Sequence, residues 1–255
     1  MDINGIIRET YEILGAEYPG DNGEYTAVEV TNRAQVAGYI DHTILKSDCD
    51  LAGVKKVCDE AKQYHFASVC VNPSYIAYVA KELEGTGVSP CSVICFPFGT
   101  QTPEVKAFEA DDAVKNGAKE IDMVINVGAL KNRDYQLCYR DINEVVKAID
   151  GRALLKVIIE ACLLTDEEKV RICTIAKLAG ADFVKTSTGF NGGGATPEAI
   201  KAMLEVSAGR IKVKPSSGIR SYETARMYVD MGVDRLGIGF NSCGKICDGE
   251  AEALK

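Results

Sequence analysis

Three junctions in this chain share one grammar, and together they constrain its fold more than any other feature. Asn116-Gly117-Ala118-Lys119-Glu120-Ile121-Asp122, Ala179-Gly180-Ala181-Asp182-Phe183-Val184-Lys185 and Met231-Gly232-Val233-Asp234-Arg235-Leu236-Gly237 each leave a helical stretch through glycine. A small residue and a charged one follow, and then a short apolar run. Glycine ends a helix because it enters the left-handed region without a Cβ clash. An apolar run only a few residues long, bounded this way, reads as a strand buried in a parallel sheet.

The same alternation extends along most of the chain. Strands are predicted at 39–45, 66–71, 92–96, 120–126, 154–160, 183–185, 210–214 and 235–238. Helices are predicted at 50–64, 73–83, 102–116, 132–148, 166–178, 197–207 and 221–231. Pro73 suits a first helical turn, and Thr165 suits an N-cap with Asp166 and Glu167 behind it. Eight strands alternating with helices close naturally as a single (β/α)8 TIM barrel of the α/β class. A doubly wound open sheet is the alternative, but no G-x-G-x-x-G follows the first strand.

Residues 1–30 stand apart from the barrel domain, 31–255. Ile3, Ile6, Ile7, Tyr11 and Leu14 share one face of an N-terminal helix, and the Gly-, Asp- and Glu-rich stretch 15–29 reads as a linker. Thr31 is positioned to cap a short helix through Ala37. The N-terminal helix suits either docking to a partner or a contact with the barrel's lower end or a second copy.

Barrel chemistry sits at the C-terminal ends of the strands, and two lysines fall there. Lys185 ends the run Phe183-Val184-Lys185 and precedes Thr186-Ser187-Thr188-Gly189 and the glycines 192–194. Lysine is seldom buried without a partner or a task, and a desolvated lysine becomes a neutral nucleophile more readily. Lys214 repeats the pattern, ending Ile211-Lys212-Val213-Lys214 before Pro215-Ser216-Ser217-Gly218. Two such lysines facing across one pocket would each depress the other's pKa. Asp122, flanked by Ile121 and Met123, is a carboxylate inside a strand, suited to proton relay. Lys156 lies in the next strand, where it adds positive charge to the mouth or orients Asp122. Asp41, Thr43 and Asn126 are polar groups near strand ends, fit to hold substrate hydroxyls. Cys70 ends the second strand near the same mouth. His42 follows Asp41 directly, but strand neighbours point to opposite faces, so His42 reads as structural.

Other function classes find little support. The net charge is −8 with no long basic run, which argues against nucleic acid. No apolar stretch is long enough to span a membrane, and no signal-peptide pattern opens the chain. Ten cysteines are scattered without a C-x-x-C pair beside two histidines, so a zinc cluster is not expected. Scattered thiols fit a reducing cytoplasm and small core positions. Two strand-end lysines, one buried aspartate, no metal cluster and no nucleotide loop point to carbonyl chemistry through a Schiff base, without a cofactor.

The residues themselves resemble a known family. Ile40-Asp41-His42-Thr43-Ile44-Leu45-Lys46, Ser68-Val69-Cys70-Val71-Asn72-Pro73, Phe96-Pro97-Phe98-Gly99 and Glu120-Ile121-Asp122-Met123-Val124-Ile125-Asn126-Val127-Gly128 resemble stretches of bacterial 2-deoxy-D-ribose-5-phosphate aldolases. So do Leu155-Lys156-Val157-Ile158-Ile159-Glu160, Phe183 to Phe190, and Gly218-Ile219-Arg220, in the same order from about Thr31 to Phe240. The resemblance implies a metal-free class I aldolase, a carbon–carbon lyase of deoxyribonucleotide catabolism. Such an enzyme cleaves deoxyribose 5-phosphate to glyceraldehyde 3-phosphate and acetaldehyde, and a homodimer is implied. By position Lys185 matches the Schiff-base lysine, Lys214 the second lysine that lowers its pKa, and Asp122 the proton relay, with Lys156 beside it.

The chain departs from that family at the phosphate end. Ser217 stands where the family has a glycine, and Gly239 and Phe240 stand where it has serines. The remaining anion donors are Gly189, Gly218, Ile219, Arg220, Gly237 and Gly239. The short tail holding Cys243 and Cys247 suggests a truncated last helix. Three readings follow: the family reaction with a weakened phosphate site; the same Schiff-base chemistry on an unphosphorylated or differently substituted aldehyde; or a barrel kept as a binding or assembly component.

Overall fold

The computed structural model describes residues 1–20 and 35–253. In chain order the elements are α1 (Ile3–Ile13), β1 (Ile40–Ile44), α2 (Leu51–Tyr64), β2 (Ser68–Val71), α3 (Ile76–Glu82) and β3 (Ser89–Ile94). Then come α4 (Pro103–Lys115), β4 (Glu120–Val124), α5 (Val127–Lys131), α6 (Tyr135–Ile149), β5 (Leu154–Ile158) and α7 (Asp166–Ala179). The chain finishes with β6 (Phe183–Lys185), α8 (Pro197–Ser207), β7 (Lys212–Lys214), α9 (Tyr222–Asp230), β8 (Leu236–Gly239) and α10 (Phe240–Ala253).

The eight strands form one parallel sheet in the order β7-β6-β5-β4-β3-β2-β1-β8. The seam between β7 and β8 closes through a bridge from Ser216 to Gly237, where Gly237 N–H donates to the Pro215 carbonyl at 2.8 Å. This is a (β/α)8 barrel with one added helix at its N-terminus. The three repeated junctions behave as their glycines require, since Gly117, Gly180 and Gly232 all have positive φ, at 103°, 91° and 91°. At Gly117 a Cβ would lie 2.5 Å from the Ala80 Cβ, so packing also excludes a side chain there. Thr165 and Glu168 complete a reciprocal capping box at the start of α7, satisfying two N–H groups that the helix itself cannot.

α1 packs against α7. It buries Ile7 and Tyr11, and Glu9 meets Arg171 at 2.6 Å. That contact occupies the face that a docking helix would keep free. The expected helix capped by Thr31 begins outside the described residues, and Val36–Tyr39 form a 3-10 turn instead. The predicted helix 132–148 is α6, which begins at Tyr135, and a short extra helix, α5, precedes it. Asn126 caps α5 and Asp134 caps α6, with Arg133 in the left-handed region between them. β3 starts three residues earlier than predicted, because the Pro90 carbonyl still accepts from Lys119 N–H although Pro90 donates nothing itself. The short tail forms α10, which runs for 14 residues and anchors on buried Cys243, Ile246 and Glu250. Both Glu250 carboxylate oxygens accept from Val36 N–H, which ties the end of α10 to the start of the barrel.

Candidate active site

The barrel axis holds a ladder of charge. At its upper end Lys185 and Lys214 are register partners on neighbouring strands, so they stand side by side on one wall and do not face each other across a pocket. Successive strands of a barrel are adjacent, and that dictates the arrangement. Both ammonium groups bind the same carboxylate oxygen, Asp122 Oδ2, at 2.7 Å from Lys185 and 2.8 Å from Lys214. Lys156, the register partner of Asp122 on β5, takes the other oxygen at 2.9 Å. Below them Asp41 binds Lys214 at 2.5 Å, and Glu120 binds Lys156 at 2.5 Å. Arg235 ties Asp41 and Glu120 together at 2.6 and 2.9 Å.

Burial on this scale penalises charge, so each group's ionisation is decided by its partners. Desolvation works against the Asp122 carboxylate, but Lys156, Lys185 and Lys214 together hold it well below the ordinary carboxylate range. Asp41 is likewise lowered against burial, by Lys214, Lys156 and Arg235. Burial pulls Lys214 and Lys156 down, yet the surrounding carboxylates outweigh it and raise both. Lys214 does not show the expected depression, because Asp122 and Asp41 outweigh both burial and the like charge of Lys156. Lys214 is therefore a standing cation beside Lys185.

Lys185 alone of the three lysines reaches a cleft, of about 570 Å³, at the upper mouth. Thr43, Gly189, Ser217, Gly218, Ile219, Arg220, Gly237 and Gly239 also line it, which brings the whole predicted rim together. Besides Asp122 and Lys214, which sit beneath it, four predicted residues lie outside the lining. Asp41 and Lys156 are fully buried beneath the cleft, so Asp41 holds lysine and arginine and not a substrate hydroxyl, and Lys156 orients Asp122 instead of charging the mouth. Cys70 is buried beside its register partner Cys91, away from the cleft lining. Asn126 spends its side-chain oxygen on the Ala129 N–H as the α5 cap.

The glycines separate by role. At Gly237 a Cβ would lie 2.6 Å from the Ser216 Cβ and 3.2 Å from the Lys214 Cε, so this glycine makes room for the lysine stem. Its N–H is taken by Pro215, so Gly237 is not the anion donor that was expected. Ser217 adopts φ 67°, the left-handed conformation that a glycine would take freely. Its Oγ lies 2.7 Å from where a Gly189 Cβ would stand, filling the gap between two cleft-lining turns.

Sequence reasoning passed over Glu160, Glu120, Arg235 and Ser216. Glu160 is buried with φ 51°, and its carboxylate accepts from Thr188 N–H at 3.1 Å, from the Thr188 hydroxyl and from Asn191 at 2.8 Å. It pins the loop that carries the rim past Lys185. A charged residue ending an apolar strand was the available signal. His42 is fully buried and paired with Glu60 at 2.7 Å, a structural position. All ten cysteines are free, and seven of them are buried. Among the described residues no helix is long and apolar enough to cross a membrane.

A family model for the DeoC/LacD family aldolase matches residues 35–248. A deoxyribose-phosphate aldolase of Clostridium perfringens is 53% identical over 219 residues, covering 86% of this chain and 97% of the relative. One from Clostridium tetani is 56% identical over 203 residues, covering 80% and 94%. The fold also matches a putative deoxyribose-phosphate aldolase from Coccidioides immitis, with TM-score 0.83, 37% identity and 98% of both chains covered. A deoxyribose phosphate aldolase from Aeropyrum pernix, described as tetrameric, matches at TM-score 0.78 and 30% identity, with 99% of both chains covered.

Proposed function

The chain belongs to the DeoC/LacD family of aldolases, and from that premise we propose that it cleaves 2-deoxy-D-ribose 5-phosphate reversibly to D-glyceraldehyde 3-phosphate and acetaldehyde, through a Schiff base on Lys185. One observation carries this reading. Of the three lysines gathered on Asp122 only Lys185 reaches the cleft, and its side-chain nitrogen rests on a carboxylate already bridged to the two buried ones.

Attack needs the free amine, and Asp122 Oδ2, at 2.7 Å, is the group placed to take the proton. The amine then adds to the C1 aldehyde of the open-chain sugar and expels water. The resulting iminium draws the electron pair of the C2–C3 bond, the proton of the C3 hydroxyl leaves, and glyceraldehyde 3-phosphate departs. Protonation of the enamine at C2 and hydrolysis release acetaldehyde. Lys214 and Lys156 serve by staying charged, which keeps Asp122 ionised between proton transfers. No step calls for a metal or cofactor.

The distal phosphate is assigned to the rim of Gly189, Gly218, Ile219, Arg220 and Gly239. The N-terminus of α10 lies beside it, and Lys46 adds a second cation. Backbone N–H groups at a helix start favour an anion. Ser217 supports a second reading. Its side chain stands at this rim where a glycine would leave more room, which favours an unphosphorylated or smaller distal group.

Steady-state cleavage of deoxyribose 5-phosphate beside deoxyribose separates the two. A large preference for the phosphate supports the first reading, and equal or reversed preference supports the second. Silence on both would point to a differently substituted sugar or to the assembly role. We further propose that the protein is a homodimer, and light scattering at the mass of one or four chains would refute that.

A further inference from the structure

Ser187 is the one cleft-lining residue whose side chain is fully buried and whose hydroxyl has no hydrogen-bond partner among the described residues. Its backbone is fixed on both sides. Ser187 N–H donates to Ser216 Oγ at 3.1 Å, and the Ser216 hydroxyl donates to the Ser187 carbonyl at 2.7 Å. Thr186 is held to the same strand end through Ser216, and Thr188 through Glu160. The neighbouring hydroxyls therefore have duties in the fold, and Ser187's has none. Buried hydroxyls are nearly always paired, so a well-positioned exception in a cleft calls for a partner that arrives with the ligand. Ser187 lies two residues past Lys185, just beyond the end of β6, and both residues line the cleft.

We propose that Ser187 is a further catalytic residue, whose hydroxyl donates a hydrogen bond to the substrate carbonyl oxygen during Schiff-base formation. The inference rests on the Schiff-base reading of Lys185. In the addition step the Lys185 nitrogen forms a bond to the aldehyde carbon and the C=O π bond opens onto oxygen. That oxygen takes a proton and becomes the carbinolamine hydroxyl. In the second step the C–O bond breaks, and the oxygen leaves as water with a second proton. Counted from the ammonium, nitrogen loses two protons and the departing water carries both, so no outside acid, base or redox partner is needed. Asp122 passes the protons, and Ser187 stabilises the charge gathering on the oxygen. With its backbone already fixed, the hydroxyl has only to turn about its own bonds, and a donor in a buried site contributes most.

The test uses acetaldehyde, whose one oxygen is the carbonyl oxygen, so contacts to sugar hydroxyls play no part. The full chain and Ser187→Ala are mixed with acetaldehyde, quenched with borohydride at increasing times, and the trapped fraction is read by mass spectrometry. Ser187→Ala is expected to slow iminium formation by roughly tenfold, the scale of one hydrogen bond. Its melting temperature should stay unchanged or rise, because no bond within the chain is lost. A merely structural serine would show the opposite pattern. Ser187→Cys, similar in size with a weak S–H donor, should slow in the same way and stands in if the alanine variant folds poorly. Trapping within twofold of the parent overturns the proposal. Failure of the parent chain to trap at all overturns the Schiff-base reading instead, so the two failures are distinct.

Discussion

Replacing Asp122 by asparagine removes the counter-charge shared by three buried lysines, and the outcome can be worked out from the ladder. In the parent, Lys156, Lys185, Lys214 and Arg235 face Asp41, Glu120 and Asp122. Asp122→Asn leaves the same four cations against two carboxylates. The core sheds the excess by giving up a lysine proton. Neutralising one lysine of ordinary pKa 10.5 at pH 7 costs about 5 kcal/mol, at ~1.36 kcal/mol per pKa unit. Breaking a buried pair by removing one partner has a similar scale, ~3–5 kcal/mol. Urea unfolding at pH 7 should therefore show a loss of about 4–5 kcal/mol, a large part of a domain's total stability.

The pH dependence supplies the sharper signature. In the variant the unfolded chain holds a lysine proton that the folded chain lacks, so stability rises with pH. The deficit should shrink by about 2.7 kcal/mol between pH 7 and pH 9. The parent should behave oppositely. Lys214 and Lys156 are raised when folded, so their contribution is complete below the unfolded value of 10.5 and is lost as pH climbs beyond it. Its Asp122, lowered when folded, contributes above the unfolded carboxylate value of 3.8 and fails as pH falls below it. Turnover by Asp122→Asn should drop by roughly 10²–10⁴-fold, the range for a lost acid–base group. A deficit under 1 kcal/mol at pH 7, or one that does not change from pH 7 to pH 9, would refute the claim that this carboxylate sets the charge of the core.

Two further predictions address positions outside the ladder. Ser217→Gly relieves a left-handed serine, worth ~1–2 kcal/mol, but adds unfolded-chain freedom worth ~0.5–1 kcal/mol, so stability should change little. Its KM for the phosphorylated sugar should fall while kcat holds; an unchanged KM would place the anion away from this turn. Lys106 is fully buried and binds Asp141 at 2.6 Å and the Val124 carbonyl at 2.8 Å. Lys106→Met should cost ~3–5 kcal/mol in urea unfolding by stranding Asp141, and adding Asp141→Leu should recover most of it. A double variant no more stable than the single one would show that the pair is not what the site needs.

The barrel was legible because its signals are local. Gly117, Gly180 and Gly232 end helices by backbone geometry, and the apolar runs after them leave little choice but buried strands. Lys185, Lys214 and Asp122 stood out because charged residues inside such runs need partners. What the chain order conceals is which partner each one finds. Asp41 and Lys156 looked like rim residues, yet register places them a layer below the cleft, bound to Lys214 and to Asp122. Asn126 looked like a substrate contact and is a helix cap, because a short extra helix begins after β4. Gly237 looked like an anion donor, and its missing side chain instead admits a lysine stem from β7, 23 positions away in sequence and adjacent only once the barrel closes. The tie of α10 to Val36 through Glu250 joins residues 214 positions apart, which no local pattern could announce.

Borohydride trapping with acetaldehyde, followed by peptide mapping of the reduced adduct, tests the central claim most directly. A two-carbon adduct on Lys185 alone, abolished in Lys185→Ala, is the predicted result. An adduct on Lys214 or Lys156, or one that survives in Lys185→Ala, would contradict the account.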